Sequence, residues 1–234
     1  MSLRRLMARL PGRQGLAIAA GGRVEHAGSL RTGVAWSTVK VPLAVAALRR
    51  RAGDRRDVVL AIRQSDNAAA ERLWAALGPP AAAGRRVEAV LRRAGDGRTR
   101  VEHRRVRPGF APFGQTMWSL RAAARFSAHL RCRRAGRRVL TQMHRIRREH
   151  RWGLGRLAGA RFKGGWGPGR TAGAADGWLE RQLGVVRVRG RELGVAIASA
   201  APGHARGIAS LDAMARWLRD RSGVGGARRR AGAC

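Results

Sequence analysis

The order of segments along the chain predicts an α/β (α+β) fold: a mainly antiparallel sheet flanked by helices, with an all-helical lobe inserted. Three observations carry this expectation. Short segments with strand patterning lie near both ends, a long helix-patterned middle separates them, and the last patterned segment is an amphipathic helix. At 234 residues with 44% apolar side chains, the chain can bury a sizeable core as one compact domain or two small lobes.

Taken in order, Leu3 to Leu10 reads as a short helix ended by Pro11-Gly12. Leu16 to Ala20 and Arg23 to Ala27 read as strands joined by a Gly21-Gly22 hairpin turn. Val34 to Trp36 leads into a buried helix that opens at Ser37 and ends near Arg51; Pro42 falls early in it, where a missing donor costs least. Asp57 to Arg63, Ala68 to Leu77 and Ala81 to Ala94 are helical, the last two closed by Gly78 and Gly95. Thr99 to Gly114 is irregular, and Met117 to Leu130 and Val139 to His150 are read as helices, with Thr116 as a cap. Ala160 to Gly164, Trp178 to Val188 and Glu192 to Ala200 read as strands, and Ile208 to Arg221 as the closing helix. Residues 1–36 with 151–222 are therefore expected to form an α/β lobe, residues 37–150 a helical lobe, and residues 223–234 a disordered basic tail.

Several classes are disfavoured. The longest apolar run, Val41 to Leu48, is far too short to span a bilayer. The first residues are basic, as in a signal peptide, but Arg9, Pro11 and Arg13 interrupt the apolar region, so no signal peptide is expected. Cys132 and Cys234 are far apart and suggest neither a disulfide framework nor a metal site. The histidines at 26, 103, 129, 144, 150 and 204 lack paired ligand spacing, so no metal and no cofactor are expected. The net charge of +35 predicts non-specific adhesion to polyanions. No nucleic-acid-binding motif accompanies it, so specific nucleic-acid recognition is not expected. We read most of the arginine as spread over solvated faces by coding bias.

That bias makes lysine informative. Of 49 basic residues other than histidine, only Lys40 and Lys163 are lysine, and Asn67 is the single asparagine. All three fall in short motifs: Ser37-Thr38-Val39-Lys40, Ser65-Asp66-Asn67 and Lys163-Gly164-Gly165. On a helix, residues three apart share a face, so the Lys40 amine is expected beside the Ser37 hydroxyl. A serine hydroxyl needs a nearby base to become a good nucleophile. A lysine of lowered pKa can serve, whereas arginine stays protonated.

The set S-x-x-K, S-D-N and K-T-G, in that order, is the signature of class A β-lactamases and penicillin-binding proteins. The chain resembles a small member of that serine β-lactamase and DD-peptidase superfamily, most closely its short actinobacterial type. The likeness runs from about Leu16 to Leu218 and extends to WSTVKVPLAVAAL and IRQSDNAAAERLWAALG around the first two motifs. It implies a five-stranded antiparallel sheet, an all-helical lobe and an extracytoplasmic location. By motif position it implies Ser37 as acylated nucleophile, Lys40 as its proton acceptor and Ser65 as proton relay. Asn67 would bind a substrate amide, and Lys163 would supply positive potential. The backbone N–H groups of Ser37 and Trp166 would form the oxyanion hole.

The departures from that pattern matter. Ser65 follows Ser37 by only 28 positions (65 − 37), so the helical lobe is short. Gly164 replaces the threonine whose hydroxyl helps bind a substrate carboxylate in the family. No convincing match to the deacylating glutamate is found; Glu102 lies in the right interval but reads as a surface salt-bridge residue. Trp152 and Trp166 flank the third motif and suit either cleft or core. Two function classes remain: a serine hydrolase acting on a β-lactam, D-alanyl peptide or ester, and a catalytically weak relative that binds peptidoglycan-like or anionic ligands.

Overall fold

In the computed structural model, residues 1–169 and 177–220 are described. The main sheet has five antiparallel strands: β1 (Arg13–Ala20), β2 (Arg23–Gly28), β5 (Arg161–Pro168), β6 (Trp178–Val188) and β7 (Arg191–Ala201). Their spatial order is β2-β1-β7-β6-β5, which leaves β5 as an edge strand. A two-stranded pair, β3 (Thr32–Val34) and β4 (Met117–Ser119), lies beside it.

Turn chemistry sets the registers. Ala20 pairs with Arg23 across Gly21-Gly22, both at positive φ (55° and 80°), the mirror-image turn that suits a right-twisted hairpin. Val188 pairs with Arg191 across Arg189-Gly190, again both at positive φ. The helices are α1 (Leu3–Ala8), α2 (Lys40–Arg50), α3 (Arg55–Arg63), α4 (Asn67–Ala76), α5 (Pro80–Arg93), α6 (Leu120–His129), α7 (Arg134–Met143) and α8 (His204–Asp220). Among the described residues, no helix is long and apolar enough to cross a membrane. Capping residues fix several starts. Asp54 accepts from Arg56 N at 2.8 Å, Asp66 from Ala69 N at 2.6 Å, and Pro80 opens α5.

The expected strand–helix–strand order and antiparallel sheet are present. Some boundaries differ, for local reasons. Met117–Ser119 is strand, not the first turn of a helix, because Ser119 caps α6 by accepting from Ala122 N at 3.2 Å. Ser119 is thus not an ordinary helix position. Thr116 is not a cap either; its hydroxyl donates to Phe113 O and accepts from Glu102 N. The helix expected over 139–150 starts earlier, at Arg134, and stops at Met143; Arg148–His150 is a separate 3₁₀ turn. The proposed tail, residues 223–234, lies outside the described residues.

Two adjacent β6 residues bury charge-bearing groups. Arg181 donates to the carbonyls of Gly33, Val34 and Trp118 at 2.8–3.2 Å and so ties the small sheet to the large one. Burial pulls its guanidinium down to about 9, still protonated at neutral pH. Glu180 is wholly inaccessible, and burial pushes its carboxyl up to about 9. It contacts His204 Nδ1 at 2.5 Å, and desolvation holds that imidazole below its usual value. At pH 7 the pair is therefore a neutral hydrogen bond, with the acid donating. Between the ordinary carboxyl value of 4.5 and about 9 the folded chain keeps a proton that the unfolded chain has lost, so stability falls as pH rises through that window. Glu180→Gln should flatten this slope, measured as melting temperature at pH 5, 7 and 8. The variant is expected to gain most at pH 8.

Candidate functional site

Ser37 lies in a 3₁₀ turn, Trp36–Val39, that runs directly into α2. The turn starts under strain, with Trp36 at φ 47°, a left-handed backbone that bulky residues rarely adopt. The free edge of β5 packs against this turn, and two glycines allow the approach. A Cβ on Gly165 would lie 2.6 Å from Ser37 N and 2.9 Å from Thr38 N, and one on Gly167 would lie 2.5 Å from the Trp36 ring. Gly164 faces the other way, where a Cβ would make an ordinary 3.5 Å contact with Trp152.

The strand register settles where the β5 amides point. Gly169 N donates to Gly177 O, and Pro168 pairs with Trp178. Hydrogen-bonded pairs alternate along an antiparallel ladder. The pairs at Gly167, Gly165 and Lys163 are then the bonded ones, and the N–H of Trp166 is directed off the free edge. That is the edge against which the Ser37 turn packs.

Lys40 and Lys163 converge on the Ser65 segment. The Lys40 amine donates to Ser65 O at 2.5 Å and Asn67 Oδ1 at 2.6 Å. The Lys163 amine donates to Ser65 Oγ at 2.8 Å and Gly164 O at 2.7 Å. Each lysine is only 2% exposed, so water cannot stabilise the charged forms. Desolvation lowers Lys40 to about 8, with Asp66 and Glu71 partly opposing it. Desolvation and the charge of Lys40 pull Lys163 well below its ordinary value. Ser65 has φ 59°, Asp66 caps α4, and Asn67 is its first residue.

A cleft of about 420 Å³ has Ser37, Lys40, Ser65, Asn67 and Trp166 on its walls. Lys163 is not on the wall and touches the cleft through Ser65. Gly164 and Gly165 also lie behind the surface, as spacers. Lys40 and Ser37 share the cleft wall without a hydrogen bond between them among the described residues; the amine reaches across to the Ser65 loop. Trp152 is core and Trp166 lines the cleft, their rings 5.8 Å apart.

The cleft also holds residues that sequence reasoning passed over: Gln64, Glu71, Phe110, Arg147 and His150. Glu71 follows Asn67 by one helical turn, a spacing that could have been read. His150 could not, because the segment was taken as continuous helix. Its ring lies 5.0 Å from that of Trp166, and desolvation and the two lysines hold it below its usual value. Glu102 is absent from the cleft wall. Its carboxylate accepts from Arg104 Nε at 3.1 Å and from the N–H groups of His103 and Arg104, and these bonds hold its pKa down. Among the described residues, no cluster of potential ligands could hold a metal ion.

No family model and no curated protein matches the chain. Solved structures do. A mutant of the class A β-lactamase of the last common ancestor of Gram-negative bacteria superposes with a TM-score of 0.68 at 22% identity, covering 94% of this chain and 96% of that one. A class A β-lactamase from Mycobacterium abscessus gives 0.68 at 19%, covering 93% and 96%. The β-lactamase from Streptomyces albus G gives 0.65 at 18%, covering 92% and 98%. The chain has the class A β-lactamase fold.

The glycines of β5 give a sharp test. Gly165→Ala should lower the melting temperature, because the new methyl would lie 2.6 Å from Ser37 N and displace that turn, whereas Gly164→Ala should melt close to the wild type.

Proposed function

We propose that the protein is a serine hydrolase that acts through an acyl-enzyme on Ser37, on a β-lactam, D-alanyl peptide or ester. The observation that carries this reading is the convergence of Lys40, Lys163 and the Ser65 segment beside Ser37, in a site where burial lowers both amines.

The chemistry follows from the hydrogen bonds. A neutral Lys40 has two N–H bonds, and Ser65 O and Asn67 Oδ1 accept both. Its remaining function is the lone pair, which takes the proton from Ser37 as the hydroxyl attacks the carbonyl. The oxyanion that forms would be held by the N–H groups of Ser37 and Trp166; such preorganised donors are worth about 3–4 kcal/mol. Lys163 donates to Ser65 Oγ; as the C–N bond breaks, Ser65 passes its own proton to the leaving nitrogen and regains one from protonated Lys40, which returns to its neutral form. Asn67 Oδ1 is occupied by Lys40, so its amide N–H₂ is the part available to a substrate. The fold similarity to class A β-lactamases supports this reading.

Two predictions concern acylation. The basic form of Lys40 is the competent one, so kcat/KM for acylation should rise with pH along a limb centred near 8. Lys40→Arg keeps a positive charge and cannot act as a base, so labelling should fall at least a hundredfold with the melting temperature little changed. Labelling at the wild-type rate in Lys40→Arg would remove Lys40 as base. A complete absence of label in the wild type at any dose would favour the second class, a catalytically weak binder.

A third prediction concerns turnover. Hydrolysis of the ester needs a base beside the attacking water, and such assistance is worth about 10²–10⁴-fold. Glu102 is committed to Arg104 and lies off the cleft wall. A penicillin should therefore leave an adduct on Ser37 that intact-mass measurements follow for many minutes, with feeble cephalosporin hydrolysis. If the adduct clears at once, Glu71 and His150 are the residues to replace, since both line the cleft.

A further inference from the structure

The arginines are not spread evenly. A groove of about 780 Å³ is lined by fourteen residues, and seven of them are Arg49, Arg51, Arg55, Arg93, Arg133, Arg134 and Arg138. The chain has 47 arginines in 234 residues (49 basic residues less two lysines), so fourteen random positions would hold about three. The cleft beside Ser37 has Arg147 alone on its wall. Coding bias explains the average, and the concentration needs another cause.

Helix capping accounts for part of it. Arg49 and Arg51 sit at the C-terminal end of α2 and Arg93 at that of α5, where the helix dipole favours cations. Arg133 and Arg134 are placed against it. They occupy the N-cap and first position of α7, and that helix start has no side-chain cap. Nor do carboxylates neutralise the group. Among the described residues, none of the seven forms an ion pair. The one acid on the groove wall, Asp54, accepts from Arg56 N as the cap of α3. Desolvation and the charges of Arg93 and Arg133 lower the pKa of Arg49, a sign of repulsion that nothing within the groove relieves.

We propose that this groove is a binding site for a compact oligophosphate, a ligand with several linked phosphate groups. Guanidinium forks match phosphate oxygens two by two, and their charge is insensitive to pH. The arginines converge from the ends of α2 and α5, the start of α3 and the first turns of α7 onto one hollow. A polymer-binding face would instead align them along a ridge. The groove is also separate from the cleft. Ser37 precedes the start of α2, whereas Arg49 and Arg51 mark its end, and an eleven-residue helix is about 16 Å long.

The test is calorimetric titration of the full chain with inorganic tripolyphosphate in moderate salt. Arg49→Gln/Arg133→Gln removes two charges from the groove. Arg4→Gln/Arg5→Gln removes two exposed charges from α1 and serves as the matched control. Wild type and control should bind one equivalent, and the groove variant at least tenfold more weakly. Equal weakening in both variants would show that net charge alone is responsible and overturn the proposal. So would displacement of tripolyphosphate by equimolar sulfate, or tighter binding of duplex DNA than of tripolyphosphate. Removing like charges from a repelling cluster should hold or raise the melting temperature. If the first pair nonetheless fails to fold, Arg55→Gln/Arg138→Gln replaces it with the same expected loss.

Discussion

Two amines buried against the same serine lose the hydration that would hold them charged, and the site depends on that constraint. Lys40 reaches the Ser65 carbonyl and Lys163 the Ser65 hydroxyl, so one residue spaces the two nitrogens. Lost hydration lowers both amines, and the charge of Lys40 lowers Lys163 further, which favours the neutral amine, the form that can accept a proton. Other features serve to hold this arrangement. The left-handed backbone at Ser65 turns its carbonyl and hydroxyl to different lysines, and Asp66 fixes the turn by capping α4. Gly165 lets the strand that carries Lys163 close against Ser37.

Much of this was legible because the chain uses arginine almost everywhere. Against that background a retained lysine marks a position where a permanently charged guanidinium would fail. Asn67 stood out in the same way, as the single asparagine. Strand patterning and the two-residue turns placed the main sheet, since alternation and Gly-Gly are local signals. What could not be read was long-range. The Lys40 amine bonds to Ser65 and Asn67, partners 25 and 27 positions away, and helical spacing alone pointed it at Ser37. The three-residue strands at Thr32–Val34 and Met117–Ser119 were hidden because each is shorter than any pattern window. They exist through pairing with one another and through the buried Arg181.

The break after Met143 was also invisible, and it changed the site more than the short strands did. A continuous helix to His150 would carry that imidazole on along the axis of α7. Instead Arg147 N bonds back to Arg63 O on α3, and the 3₁₀ turn brings His150 to the cleft. A single tertiary hydrogen bond thus moves a titratable group to the cleft wall, and no local propensity encodes it.

The same arginine excess limits which bases the site can keep. With 47 arginines and 14 acids, a carboxylate near the surface is quickly captured: Asp57 by Arg72, Glu102 by Arg104, Glu149 by Arg147, Glu192 by Arg161, Asp212 by Arg156. Capture occupies a carboxylate's lone pairs and, at Asp57 and Glu102, lowers the pKa as well, and both effects weaken a general base. Neutral bases escape, because a guanidinium repels their protonated form and has no hold on the neutral one. In such a chain a buried lysine and a half-buried histidine remain serviceable proton acceptors, and the one carboxylate beside them on the cleft wall is Glu71, which forms no ion pair among the described residues. On the proposed function, acylation through Lys40 would withstand the arginine background, whereas a deacylation step built on a carboxylate would have Glu71 alone on the cleft wall to draw on.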